Sequence, residues 1–283
     1  MKPALALRNP KDFSRETELP GAKVHEKDQL PIIRHRYYFA AKYCGGKKVL
    51  EVSCGPALGL GRLSREAQLF IGGDIVLSSL KIARDHYGSR GRLVKLDAHC
   101  LPFPDQSFDV ILSLAAVIYY DLPVFLREAF RVLSPGGRLI LNTPNRDIPG
   151  FRPSGLSRRY YSVPELSELL EAQGFEPRFW GGFPVSSAPA SAPASPGWKQ
   201  ALARPLYSLP RPLTKNLGKI IDLIPRGDRL KDYLIYRIYH RVTLTAELTQ
   251  DELETASRIP MRDIPADRAD SLHRVIYGTA LRK

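Results

Sequence analysis

Between residues 47 and 183 the apolar positions fall into two alternating kinds of run. Short, nearly unbroken ones occur at VLEV (49–52), LFIGGD (69–74), RLVKLD (92–97), FDVILSL (108–114) and RLILNT (138–143). The stretches between them, from about Leu60, over Leu77 to Tyr87 and over Pro123 to Leu133, have apolar residues at helical spacing. Apolar runs of strand length, alternating with helical segments, predict a parallel, doubly wound α/β sheet with helices on both faces. Two further strands are predicted at FEPRFWGGF (175–183) and RVIYGTALR (274–282), and a helix over Pro31–Cys44 stopped by Gly45-Gly46. Ser162-Val-Pro-Glu165 has the form of a capping box, opening a helix that runs to Gln173 and stops at Gly174.

The same pattern divides the chain. Residues 1–30, with Pro3, Pro10, Pro20 and Gly21, predict an irregular arm, and 31–183 the core. Residues 186–197 (SSAPASAPASPG) have the composition of a linker. Beyond it two basic helices are expected, one with an apolar face at Leu213, Leu217, Ile220, Ile221 and Ile224, the next rich in tyrosine from Leu230 to Tyr239. Residues 184–272 then form a linker and helical cap inserted ahead of a final core strand at 273–283.

Charge follows this division. The net +13 comes from the flanks: residues 1–48 hold 11 basic and 5 acidic side chains, 198–241 hold 10 and 3, while 49–183 hold 15 and 14. Three uses of the basic flanks are open: a cap over a small-molecule pocket, a face for an anionic membrane or a lipid-linked acceptor, and RNA binding. Asp222, Asp228 and Asp232 interrupt the basic face, which counts against the membrane use, and no nucleic-acid motif accompanies the charge, which disfavours RNA. Cys44, Cys54 and Cys100 are odd in number and lack CxxC spacing, so neither a disulfide framework nor a metal site is expected. No apolar run approaches the roughly 18 residues of a membrane span and the N-terminus has no signal-peptide pattern, so a cytoplasmic protein is expected. Nothing in the pattern addresses the oligomeric state.

The chemistry centres on KKVLEVSCGPALGLG (47–61), an apolar strand, a glycine turn and a helix start. Such a turn lets backbone come close to a ligand at the carboxyl end of a strand. It lacks the dinucleotide spacing Gly-x-Gly-x-x-Gly, because Ala57 follows Gly55 by two and the next glycines are Gly59 and Gly61.

From about Arg36 to Phe183 the chain resembles the class I S-adenosylmethionine-dependent methyltransferases, in particular the small-molecule group related to quinone and glycan methyltransferases. The resemblance is carried by VLEVSCGPALGLG, GGDIVLSSLKIAR, LDAHCLPFPDQSFDVILS, FLREAFRVLSPGGRLILNTPN and YYSVPELSELLEAQGF, in register. It implies a Rossmann-like seven-stranded sheet, mostly parallel with the last strand antiparallel. It also implies S-adenosylmethionine as cofactor. Glu51 and the turn Ser53, Gly55 to Gly59 would hold its methionine end, Asp74 the ribose hydroxyls, Ile75 the adenine face, Asp97 and Ala98 the adenine amine, and Ser113 and Leu114 the sulfonium. Ser53 stands where the family more often has glycine or alanine, and Ala57 where it often has glycine.

A sulfonium already activates the methyl group, so a general base is needed only for a protonated acceptor. Candidates are His35, Tyr119 and His99, the last lying beside Asp97 and read foremost as a loop residue. Tyr120, Asn142, Asn145, Tyr160 and Tyr161 are acceptor-side candidates by position. The Asp/Asn-Pro-Pro-aromatic motif of adenine and glutamine methyltransferases is absent, since that place reads Ser113-Leu-Ala-Ala. The expected function is methyl transfer to a small molecule, foremost an oxygen on a saccharide or lipid-like metabolite; an S-adenosylmethionine-binding scaffold without catalysis and an RNA methyltransferase are the alternatives.

Overall fold

The five central apolar runs form strands that lie side by side in the computed structural model, which describes residues 23–25, 29–154, 157–185, 241–243 and 256–283. The linker, the expected cap helices at 213–239 and most of the N-terminal arm lie outside these residues. Strands β1 (Lys48–Val52), β2 (Leu69–Asp74), β3 (Leu93–Lys95), β4 (Phe108–Leu114) and β5 (Leu133–Pro144) are joined in parallel in the order β3-β2-β1-β4-β5. Helices α2 (Leu60–Glu66), α3 (Leu77–Tyr87) and α4 (Leu122–Val132) connect them, after α1 (Gln29–Ala41) has preceded the sheet. Helix α5 (Val163–Ala172) opens on the expected capping box: Ser162 accepts from the Glu165 backbone while Glu165 accepts from the Ser162 backbone at 2.8 Å. Gly174, at φ +92°, stops it.

Strand β6 (Phe175–Pro184) and the last strand β8 (His273–Arg282) complete the expected set, with β8 antiparallel and inserted between β5 and β6. An eighth strand, β7 (Met261–Ile264), pairs antiparallel with β6 at the sheet edge. It lies in the stretch read as linker and cap. Four residues between Pro260 and Pro265, of which only Met261 and Ile264 are apolar, are too few to show a strand period. Lys23–His25 and Arg241–Thr243 pair as a separate two-stranded sheet.

One core face joins Leu50, Val52, Ile111, Leu139 and Leu141 of the strands to Phe125, Leu126, Ala129 and Val132 of α4 and Leu166 and Leu170 of α5, all buried. Each large side chain contributes about 1.5 to 3 kcal/mol by leaving water. This packing fixes the carboxyl ends of β1, β2 and β4, where the motif residues gather.

Candidate active site

The turn after β1 carries an unusual run of left-handed backbone: Ser53 at φ +57°, Gly55 at +56° and Ala57 at +59°. Ala57 thus holds the conformation glycine adopts freely, at a cost of about 1 kcal/mol. Gly59 serves a close approach, since a Cβ there would sit 2.2 Å from the Tyr37 ring. Cys54 is buried filler, its sulfur packed towards Gly72 and its thiol pushed up by burial.

Glu51 is buried at the end of β1. Tyr37 of α1 donates to its Oε1 at 3.1 Å, while Oε2 has no partner among the described residues. Burial pushes this carboxyl up to about 7, against the pull of the Tyr37 hydroxyl and the Arg36 charge. Asp74, which closes β2, accepts from the Gly55 backbone at Oδ2 (2.8 Å) and from the Val76 backbone at Oδ1 (2.7 Å). Burial raises its pKa and those N–H groups hold it down. Each Asp74 oxygen retains a further lone pair. Ile75, beside it, is half-buried.

Asp97 lies two residues beyond β3, followed by buried Ala98. Its Oδ1 takes the His99 backbone N–H at 2.9 Å and lies 2.7 Å from His99 Nδ1. Ser113 and Leu114 are buried at the end of β4. Tyr120, expected on the acceptor side, reaches the turn after β1, where its hydroxyl donates to Ser53 Oγ at 2.7 Å and lies 3.5 Å from Ser113 Oγ. Tyr119, half-buried, ends the short helical turn Val117–Tyr119.

The remaining expected residues are spread over separate settings. His35 is fully buried, with its ring edge-on to Tyr277 (4.9 Å) and Phe183 (5.5 Å) and neither nitrogen hydrogen-bonded among the described residues. Burial and the Lys42 charge lower its pKa to about 4, opposed in part by the Ile259 backbone. Asn142 Oδ1 accepts from the Ala115 backbone and so braces the end of β4. Asn145 is saturated by structure: its amide donates to the carbonyls of Asp270 (2.5 Å) and His273 (2.7 Å), and Oδ1 takes the Asp147 N–H. Tyr161 belongs to the core, and Tyr160 packs on Phe151 while its hydroxyl accepts from the Ser154 backbone.

Residues 50–141 match a family model described as a methyltransferase domain. A probable S-adenosylmethionine-dependent methyltransferase of Mycolicibacterium smegmatis is 33% identical over 186 residues, which are 62% of this chain and 69% of the relative. The chain belongs to the S-adenosylmethionine-dependent methyltransferases. A fatty-acid O-methyltransferase of the same organism is 37% identical over 148 residues, 49% of this methyltransferase and 54% of the relative, so the match spans only about half of that protein. In fold, the YcgJ protein of Bacillus subtilis superposes with a TM-score of 0.51 at 18% identity, covering 88% of this methyltransferase and 98% of that chain.

The family's cofactor is S-adenosylmethionine, and the hydrogen-bond acceptors of this methyltransferase fit it. Among the described residues Glu51 Oε2 is buried and unanswered, Asp74 keeps lone pairs on both oxygens, and Asp97 Oδ2 accepts no hydrogen bond. The ligand offers the complementary donors: an ammonium, two ribose hydroxyls and an exocyclic amine. Tyr37 was not foreseen as part of this edge. The available signal was a tyrosine on an otherwise apolar helix face, because a buried hydroxyl usually finds a partner.

Proposed function

We propose that this methyltransferase moves the methyl group of S-adenosylmethionine to an oxygen of a lipid-like acceptor, foremost a fatty-acid carboxylate. The observation that carries the reading is the row of carboxylates Glu51, Asp74 and Asp97 with unused acceptor capacity, next to a post-β4 segment of buried Val117, Ile118 and Tyr120 that brings no charge to the acceptor side. The fatty-acid O-methyltransferase relative supports the acceptor class.

In this reading Glu51 takes the cofactor's ammonium, the N–H groups of the Gly55 to Gly59 turn take its carboxylate, Asp74 the ribose hydroxyls and Asp97 the adenine amine. Bound S-adenosylmethionine supplies a methyl group activated by a sulfonium. The work of the chain is then to orient: Ser113 and Leu114 flank the reacting end, and Tyr120 fixes Ser53 beside it. Alignment at a dry site can account for roughly 7 to 11 kcal/mol of barrier lowering. A fatty-acid carboxylate is already ionised at neutral pH and needs no base. For a hydroxyl acceptor Tyr119 and His35 are the proposed bases.

The test is incubation with isotope-labelled S-adenosylmethionine and separate panels of fatty acids, hydroxylated lipids, saccharides and RNA, with products read by mass spectrometry. Methyl esters from the first panel are expected. Transfer confined to saccharides or RNA overturns the lipid reading, and cofactor binding without transfer in any panel turns it into a scaffold.

A further inference from the structure

We propose that His99 is a positioning residue that sets the adenine specificity of this methyltransferase by orienting Asp97, and that it ties the adenine loop to the segment leading into α4. The inference rests on the reading of Asp97 as the adenine carboxylate.

The hydrogen bonds assign the imidazole's tautomer. The backbone N–H of Asp121 can only donate, and it meets His99 Nε2 at 2.9 Å. Nε2 is therefore bare, and the ring proton sits on Nδ1, directed at Asp97 Oδ1 at 2.7 Å. The His99 backbone N–H adds a second donor to the same oxygen at 2.9 Å. Two donors from one residue on Oδ1 stop the carboxylate from rotating. Oδ2 is left with no partner among the described residues, on a side chain 30% exposed. An oxygen that can only accept attracts an amino group and repels a keto oxygen, which is the difference between adenine and hypoxanthine at the 6-position.

The other side of the ring explains the second half. Asp121 occupies the position before α4 without a side-chain cap, and its Oδ2 is instead held by the Arg158 guanidinium at 2.7 Å. The backbones of Arg158 and Arg159 donate to the Ile118 carbonyl at 2.8 and 3.1 Å. The His99 ring also stands edge-on to Tyr120 at 5.9 Å, whose hydroxyl reaches Ser53. One imidazole thus joins the loop after β3 to the loop after β4, on which the proposed acceptor side is built.

Calorimetric titration with S-adenosylhomocysteine and with S-inosylhomocysteine tests this, with circular dichroism as a check that each variant folds. The wild type is expected to favour the adenosyl ligand by about 30-fold or more, as polar sites do when they reject an analogue that leaves them unpaired. His99→Ala should bring the two ligands within about threefold, and His99→Asn, whose amide stands near the old Nδ1, should restore the preference. His99→Gln can still accept from Asp121 but sets no donor at the old Nδ1, and should not restore the preference. Asp97→Asn should reverse the preference, because His99 forces the amide oxygen to Oδ1's place and turns the amide NH2 to the ligand. That reversal should vanish in the Asp97→Asn/His99→Ala double variant. A preference unchanged in Asp97→Asn overturns the adenine reading itself. A preference that responds to Asp97 but not to His99→Ala overturns the role of His99 alone.

Discussion

The hydroxyl of Tyr37 donates to Oε1 of Glu51 at 3.1 Å, so the helix that precedes the sheet reaches the carboxylate on its first strand. Burial raises that carboxyl to about 7, and the proposed ammonium partner requires it ionised. Binding of S-adenosylmethionine should therefore release a proton below neutral pH, with affinity rising up to tenfold per pH unit towards pH 7 and flat above it. For the free protein the sign is opposite: a carboxyl raised from 4.5 to about 7 stabilises the fold fully below pH 4.5 and loses that contribution, on the order of 3 kcal/mol, as pH climbs to 7. Titration calorimetry in buffers of different ionisation enthalpy reads the proton directly. A pH-independent affinity between 5.5 and 8 removes Glu51 from the ammonium.

Asp74 has two tasks that one substitution separates. Its oxygens close the Gly55 turn and the start of α3, so Asp74→Ala should cost about 1 to 3 kcal/mol of stability as well as cofactor affinity. Asp74→Asn keeps one acceptor and should retain most of the stability while binding S-adenosylmethionine at least tenfold more weakly. Equal affinity in Asp74→Asn and wild type would take the ribose away from Asp74.

Tyr120→Phe deletes the hydroxyl that reaches Ser53 at 2.7 Å and little else. A lost hydrogen bond of about 1 kcal/mol should raise the KM for S-adenosylmethionine about fivefold and leave the acceptor KM unchanged. Steady-state kinetics with each substrate varied in turn decide it. The reverse split returns Tyr120 to the acceptor side.

His35→Phe should be tolerated or stabilising, since it replaces a buried imidazole that has no hydrogen bond among the described residues with an apolar ring among Tyr277 and Phe183. A histidine lowered from 6.5 to about 4 contributes its full stability above pH 6.5 and loses it as pH falls towards 4. The variant should therefore gain on the order of 2 kcal/mol over wild type at pH 4.5, measured by thermal melts across pH. Turnover of a carboxylate acceptor should change less than about threefold. A hundredfold loss of turnover with cofactor affinity intact instead makes His35 the base.

Elements fixed by local chemistry were legible before any coordinates. FDVILSL has the unbroken apolar run found in strands covered on both faces, and Ser162 with Glu165 could cap a helix without help from elsewhere. Interactions between distant residues were not legible. Asn145 reads as a polar residue after a strand, yet its amide is consumed by Asp270 and His273, more than a hundred positions away. Tyr120 reads as a pocket aromatic, and only the fold brings Ser53 beneath its hydroxyl. At Ala57 the sequence showed a departure from glycine, while the backbone kept the glycine-like conformation and accepted the strain.

The position of β8 bears on how the molecule is made. β5 and β6 each present an unpaired edge until His273–Arg282 arrives between them, and residues 185–272 must leave the ribosome first. At ordinary elongation rates that interval is roughly 4 to 18 s. During it the nascent sheet carries two open ladders facing one gap, the kind of surface to which other unfinished chains adhere. Mutations that slow the closing of that gap would lower the yield of soluble enzyme without touching a residue of the active site.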